Sequence, residues 1–136
     1  MTARGLLDTS TVILLGRVTD PDQLPDECLI SAVTLAELSV GPHVAQSAAE
    51  RAARQAHLQQ AEADFEVVDF DAASARAFGR VAASLRAAGR KPAARAYDAL
   101  IAATALANSL PLFTCNPSDF AGIEHLVVES VDIASE

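Results

Sequence analysis

Four acidic side chains stand where this sequence predicts a turn from strand to helix or the start of a helix. They are Asp8, Glu37, Asp98 and Asp119. Asp8 ends an apolar opening at residues 5–7, and Asp98 interrupts the apolar residues 97–103. An acidic side chain in an apolar segment costs free energy unless it is paired, hydrogen-bonded or bound to a cation. The four carboxylates together therefore predict an oxygen-lined pocket for a divalent metal ion.

Structural explanations exist for each of these acids. Asp8 and Asp119 are candidates for capping helices, and Glu37 for an exposed helix position. Asp98 has the weakest structural explanation, because a helix as apolar as its own should be buried. We therefore favour a functional interpretation for all four side chains.

Strand-like and helix-like segments alternate along the chain. The predicted strands cover residues 5–8, 27–30, 65–70, 112–114 and 125–128, and the predicted helices cover about 10–17, 32–40, 45–63, 72–87 and 93–108. Thr9 or Ser10, then Ser31 and Asp71, are the expected helix caps. This order predicts an α/β fold of three layers, α/β/α, with a mainly parallel sheet of about five strands. We expect one domain over residues 1–136, with a loosely ordered tail at 130–136.

A parallel sheet would bring the four acids together, although they are far apart in sequence. Ligands of such sheets bind beyond the carboxyl ends of the strands. Asp8 follows the first strand, and residues 114–119 follow a later strand at the same edge. Glu37 and Asp98 are within reach of that edge from the early turns of their helices.

Composition limits the choice of partners and location. The formal charge is −8 and the pI about 4.7, which argues against non-specific binding of nucleic acid through a basic surface. A local basic group nevertheless precedes Asp98: Arg86, Arg90, Lys91 and Arg95. The two cysteines lack CxxC spacing and are expected to be reduced, and we see no apolar run long enough to span a bilayer. We therefore expect a cytoplasmic protein with no membrane contact.

Four segments resemble the motifs of PIN-domain ribonucleases, and more closely those of VapC toxins from type II toxin–antitoxin systems. The segments are LLDTS at 6–10, SAVTLAEL at 31–38, YDALIAATA at 97–105 and FTCNPSDF at 113–120. One such motif is common by chance. All four in order, spanning residues 6 to about 128, are specific.

The resemblance implies an endoribonuclease that depends on Mg²⁺ or Mn²⁺ and is neutralised by a cognate antitoxin. It implies Asp8 and Asp98 as metal ligands, and Glu37 and Asp119 as ligands bound directly or through water. The fourth acidic position falls at Asn116 or Asp119, and we favour Asp119. Thr9, Thr114 and Asn116 would be supporting polar groups, while Lys91 and Arg95 are candidates for contact with RNA phosphates. Tyr97 is expected to pack rather than stack on a base.

The same resemblance implies further partners. They are a VapB-like antitoxin that inserts an Arg near the acidic site, an RNA substrate for which tRNA is one candidate, and a second copy of the chain in a homodimer.

Other functions fit less well. A haloacid-dehalogenase-type phosphatase needs an Asp where Ser10 stands, and a receiver domain needs adjacent acids and a late Lys. The alternative that stays open is an interaction module of weak catalytic power, which binds an antitoxin through its acidic pocket.

Overall fold

A five-stranded sheet forms the centre of this computed structural model, which describes residues 3–135 apart from the side chains of residues 93 and 94. The strands are β1 (Arg4–Leu7), β2 (Glu27–Ser31), β3 (Glu66–Val68), β4 (Leu112–Thr114) and β5 (Val128–Ser130). They lie in the order β3-β2-β1-β4-β5, and every neighbouring pair is parallel. The predicted α/β class and parallel sheet are confirmed.

Five α-helices connect the strands: α1 (Thr9–Ile13), α2 (Ala32–Val40), α3 (Ala48–Asp64), α4 (Ala72–Ala87) and α5 (Ala96–Ala107). Ser31 and Asp71 cap α2 and α4, as predicted. The predicted cap of α1 is wrong: Asp8 caps it, and neither Thr9 nor Ser10 does. Asp8 has the extended backbone that a cap needs, whereas Thr9 and Ser10 already lie inside the helix.

Helices cover both faces of the sheet. Alternate strand residues contribute to two buried clusters, Leu6, Leu29 and Leu112 to one and Leu7, Ile30 and Phe113 to the other. Helices α4 and α5 pack in the first cluster, and α1 and α3 pack in the second. Burial on both faces explains why the strands read as continuous apolar runs instead of alternating patterns.

The carboxyl-terminal segment differs most from the prediction. The fifth strand pairs Val128 with Leu112 and Ser130 with Thr114, so it begins where the predicted strand, 125–128, was to end. His125 has φ 68, which is turn geometry. The predicted tail, 130–136, extends past the described residues, which end at 135. Within it, Val131 is buried and its N–H donates to the Thr114 carbonyl, and Ile133 bridges to Val18.

Several helix ends also differ from the predicted ones. The first helix ends at Ile13 and is followed by a 3₁₀ turn, Leu15–Arg17. A second 3₁₀ turn, Pro92–Arg95, occupies the predicted start of α5. Within residues 3–135, none of the helices has the length and apolar character that a bilayer crossing demands.

Candidate active site

The reversal of strand order at β1 creates a crevice at one edge of the sheet. The chain passes from β1 to β2 and β3 on one side, and later returns to β4 and β5 on the other. Ligands of open α/β sheets bind at such a reversal, beyond the carboxyl ends of the strands. Asp8 follows β1 here and Thr114 ends β4. The fold therefore positions both residues where the sequence analysis expected the site.

Asp8 is buried, at 2% exposure, and its carboxylate is held from two sides. Its Oδ1 accepts the N–H of Thr11 at 3.1 Å and the Thr11 hydroxyl at 2.5 Å. Its Oδ2 accepts the Thr114 hydroxyl at 2.7 Å and lies 3.4 Å from the Ser10 hydroxyl. These donors are all neutral, so they fix the direction of the carboxylate without cancelling its charge.

A chain of hydroxyls orients Glu37. The Thr9 hydroxyl donates to Glu37 Oε1 at 2.6 Å and lies 3.0 Å from the Thr34 hydroxyl. Ser31, the cap of α2, in turn donates to Thr34 Oγ1 at 3.3 Å. The start of α1 thus positions two acids: Asp8 is the N-cap of the helix, and Thr9, its first residue, fixes Glu37.

Arg95 bridges the remaining two acids. Its Nη1 lies 3.0 Å from Asp119 Oδ1 and 3.6 Å from Asp98 Oδ2. The arginine side chain is about half exposed, whereas those of Asp98 and Asp119 are mostly buried. The 3₁₀ turn Pro117–Phe120 carries Asp119, and its own cap is Asn116.

The other three carboxylates lie near enough to Asp98 to act on its charge. Burial raises the pKa of Asp98 to about 6, and the negative charges of Asp119, Asp8 and Glu37 contribute to the rise. Arg95 opposes it. Acids separated by up to 111 positions in sequence, Asp8 and Asp119, therefore act on one group. The predicted residues are close enough in space to interact electrostatically.

The donor types at this edge suit a hard divalent cation. Carboxylate and hydroxyl oxygens favour Mg²⁺ or Mn²⁺ over the metals that prefer imidazole or thiolate. The position of Arg95 between Asp98 and Asp119 shows that this part of the site accommodates positive charge. In this conformation no three acidic, histidine or cysteine side chains of the described residues are close enough together to form a complete metal site. The residues thus fit such an ion in chemistry, with Arg95 occupying part of the space.

Two supporting residues were missed by the sequence analysis. Thr11 is fully buried and donates twice to Asp8, and its hydroxyl accepts the N–H of Cys115 at 3.0 Å. Thr34 is the buried link between Ser31 and Thr9. Both lie three residues after a capping residue, and this spacing after Asp8 and Ser31 was the available signal.

The predicted supporting residues have distinct positions. Thr9 contacts Glu37 and Thr114 contacts Asp8. The N–H of Asn116 donates to Thr114 Oγ1 at 2.9 Å, and its amide lies 3.3 Å from the Ser10 hydroxyl. Lys91 and Arg95 line a cavity of about 260 Å³ together with Asp98 and Asp119. A larger cavity of about 920 Å³ is lined by residues 109–111, which precede β4, so it opens at the other end of that strand, away from the acids.

Comparison with known proteins agrees with this geometry. A sequence model of the PIN domain matches residues 6–126. Ribonuclease VapC5 of Mycobacterium tuberculosis is 39% identical over 124 residues, which cover 90% of this chain and 89% of that relative. The crystal structure of VapBC-5 from Mycobacterium tuberculosis, a member of the VapBC family of toxin–antitoxin systems, gives a TM-score of 0.81 at 36% identity, covering 96% of this chain and 99% of that one.

A more distant structure shares the fold. VapBC2 from Rickettsia felis, bound to a DNA fragment from its promoter, gives a TM-score of 0.77 at 23% identity and covers 95% of this chain and 99% of that one. The fold and the acidic edge define a PIN domain, and the chain belongs to the PIN-domain family. Within it, the match to ribonuclease VapC5 places the chain among the VapC-type proteins, as the resemblance predicted.

Proposed function

We propose that this chain is a divalent-metal-dependent endoribonuclease that hydrolyses phosphodiester bonds of RNA in the cytoplasm. It would be the toxin of a toxin–antitoxin pair. The main support is the electrostatic convergence of Asp119, Asp8 and Glu37 on Asp98 at the carboxyl edge of the sheet. The relationship to ribonuclease VapC5 supports the choice of RNA.

Asp8 and Asp98 are the proposed direct ligands of Mg²⁺ or Mn²⁺. A bound ion of this type lowers the pKa of its water and offsets negative charge that develops on the phosphoryl oxygens. The donors Thr11 and Thr114 keep the Asp8 carboxylate in one direction. Such fixed orientation reduces the reorganisation that the site must undergo during the reaction.

Glu37 and Asp119 complete the proposed acidic site, directly or through water. The hydrogen bond from Thr9 leaves the second oxygen of Glu37 available for a water or an ion. Asp119 is favoured over Asn116 as the fourth group because it shares the Arg95 guanidinium with Asp98. Asn116 instead supports Thr114 through its backbone N–H.

Lys91 and Arg95 are the proposed contacts for RNA phosphates. Both line the cavity that also contains Asp98 and Asp119, so a phosphate bound there would lie beside the acids. Arginine and lysine are the usual partners of backbone phosphates. The RNA is proposed without a defined sequence, and tRNA is one candidate.

An antitoxin that inserts an arginine into the acidic site is the proposed protein partner. The bridge from Arg95 to Asp119 and Asp98 shows that guanidinium geometry suits these carboxylates. The solved relative VapBC-5 is a member of a toxin–antitoxin family, which supports a VapB-like partner. We also propose a homodimer.

Cleavage by single variants tests the enzyme proposal. Asp98→Asn and Asp8→Asn should each reduce Mg²⁺- or Mn²⁺-dependent cleavage of single-stranded RNA by at least 100-fold, with the fold retained. Asp26→Asn is the matched control, because Asp26 is exposed and precedes β2 at the opposite sheet edge. A wild-type chain that binds an antitoxin but cleaves no RNA, tRNA included, would favour the interaction-module alternative.

A further inference from the structure

The residue that precedes Asp98 in the chain is aromatic. Tyr97 is 58% exposed on the first turn of α5. The other strongly exposed large hydrophobic side chains of the described residues are aliphatic: Ile13, Val40, Val44 and Val127. This exposure does not fit the expectation that Tyr97 packs rather than stacks on a base. An exposed aromatic ring beside Asp98 in the chain offers a flat face on which an unpaired base can stack.

The cavity that contains Lys91 and Arg95 also borders Asp98, on the side away from Tyr97. Its lining residues are Leu85, Arg90, Lys91, Arg95, Asp98, Ala99, Asp119 and Ile123. Asp98 and Ala99 lie on the first turn of α5, and Arg95 is the residue that precedes this helix. Tyr97 is absent from this lining and lies about 100° around the helix from Asp98. The first turn of α5 thus presents Asp98 with cations on one side and an aromatic ring on the other.

The charge distribution makes this location distinctive. Three of the ten basic residues, Arg90, Lys91 and Arg95, line this one cavity, in a chain whose formal charge is −8. An anionic ligand would be repelled by much of the surface and attracted here. Single-stranded nucleic acid matches both halves of the surface, because it carries phosphates that bind cations and unstacked bases that bind aromatic rings.

We propose that Tyr97 stacks on an unpaired base of the RNA while the cavity formed with Arg90, Lys91 and Arg95 accepts a neighbouring phosphate. This inference rests on the proposed ribonuclease function and identifies the side chain that would hold an unpaired strand at the site. A base within a duplex has both faces covered, so Tyr97 has nothing to stack on there. The ring would hold the strand across Asp98 and select unpaired segments, with little preference among the four bases.

Binding measurements separate stacking from charge. A labelled single-stranded RNA is titrated with protein in the presence of a metal chelator, so that no cleavage occurs. Tyr97→Ala should weaken binding by roughly five- to 100-fold, and Tyr97→Phe should bind like wild type because the ring is retained. The dependence on salt should stay unchanged in Tyr97→Ala and become shallower in Lys91→Gln, since only the latter removes a phosphate contact. Val127→Ala, which shortens another exposed side chain, is the matched control.

A duplex RNA of equal length supplies the decisive comparison: Tyr97→Ala should change its binding less than twofold. Equal single-strand binding by Tyr97→Ala and wild type would overturn the inference. So would weak binding by Tyr97→Phe, or a loss confined to antitoxin binding, which would assign the ring to a protein interface. Metal-dependent cleavage by wild type is assayed in parallel, so that failure of the ribonuclease proposal is distinguished from failure of the stacking role.

Discussion

Neighbouring groups determine what each acid at this edge can do. Asp8 is surrounded by neutral hydrogen-bond donors, whereas Asp98 and Asp119 share the charge of Arg95. The first arrangement fixes geometry, and the second neutralises charge that would otherwise repel. The site therefore contains one carboxylate of fixed direction, Asp8. It also contains a pair, Asp98 and Asp119, whose shared cation can be exchanged.

Arg95→Gln tests that exchange. The guanidinium competes with a metal ion for Asp98 and Asp119, so its removal should tighten Mn²⁺ binding by about two- to fivefold, the range expected for a partly exposed ion pair. Calorimetric titration at pH 7 measures this affinity. The same variant should bind RNA more weakly, because it loses a phosphate contact.

Arg86→Gln is the control for that change of charge, since Arg86 lies in the last turn of α4 and does not line the cavity. Weaker Mn²⁺ binding by Arg95→Gln would contradict competition and would indicate that the arginine organises the two carboxylates for the ion.

At the scale of elements, the segment after β4 is held against the end of α4. Arg90 Nη1 donates to the Ala121 carbonyl at 2.5 Å and lies 3.4 Å from the Ser118 carbonyl. Gly122 has φ +87, and a Cβ there would lie 2.9 Å from Ala88 Cβ. This close approach fixes the 3₁₀ turn that carries Asp119, so glycine is needed at this position.

Gly122→Ala should therefore reduce the free energy of unfolding by about 1–2 kcal/mol, because it combines a left-handed backbone with steric overlap. Chemical denaturation measures the loss, and cleavage should fall as Asp119 shifts. Gly79→Ala is the matched change within α4, where no atom lies within 4 Å of the new Cβ. It should stabilise by about 0.5–1 kcal/mol. Equal effects of the two substitutions would show that Gly122 is not constrained.

The sequence predicted elements and motif residues more reliably than side-chain partners. Asp8 could be placed because a short apolar strand ends at it, and parallel strands share one edge. The exposure of Tyr97 could not be predicted, since an apolar helix does not show which of its turns projects beyond the sheet. The bridge from Arg95 to Asp119 likewise depends on how the turn at 117–120 meets α5, a contact that no local pattern encodes.

At the scale of the whole molecule, grouping four acids is a cost to folding. The pKa of Asp98 rises to about 6 from 3.8, so the folded chain binds a proton more tightly than the unfolded chain does. Stability contributed by this group is therefore fully present below the unfolded value of 3.8 and is lost as pH rises to about 6. Asp71 contributes with the opposite sign, because the backbone N–H of Ser74 lowers its pKa. The difference in free energy of unfolding between wild type and an Asp98 variant isolates the contribution of Asp98.

Without metal, Asp98→Asn should be more stable than wild type at pH 7.5 by about 1–2 kcal/mol, less than the full shift implies because the side chain is partly exposed. This difference in stability should disappear as pH falls from 6 to 4, because Asp98 becomes protonated. Denaturation curves across this range, with chelator present, measure it. Mn²⁺ at pH 7.5 should reverse the order by stabilising wild type and not the variant, since a ligand of the folded state shifts unfolding. A gap that is constant with pH, or equal stabilisation of both chains by Mn²⁺, would show that Asp98 neither experiences the other acids nor binds the ion.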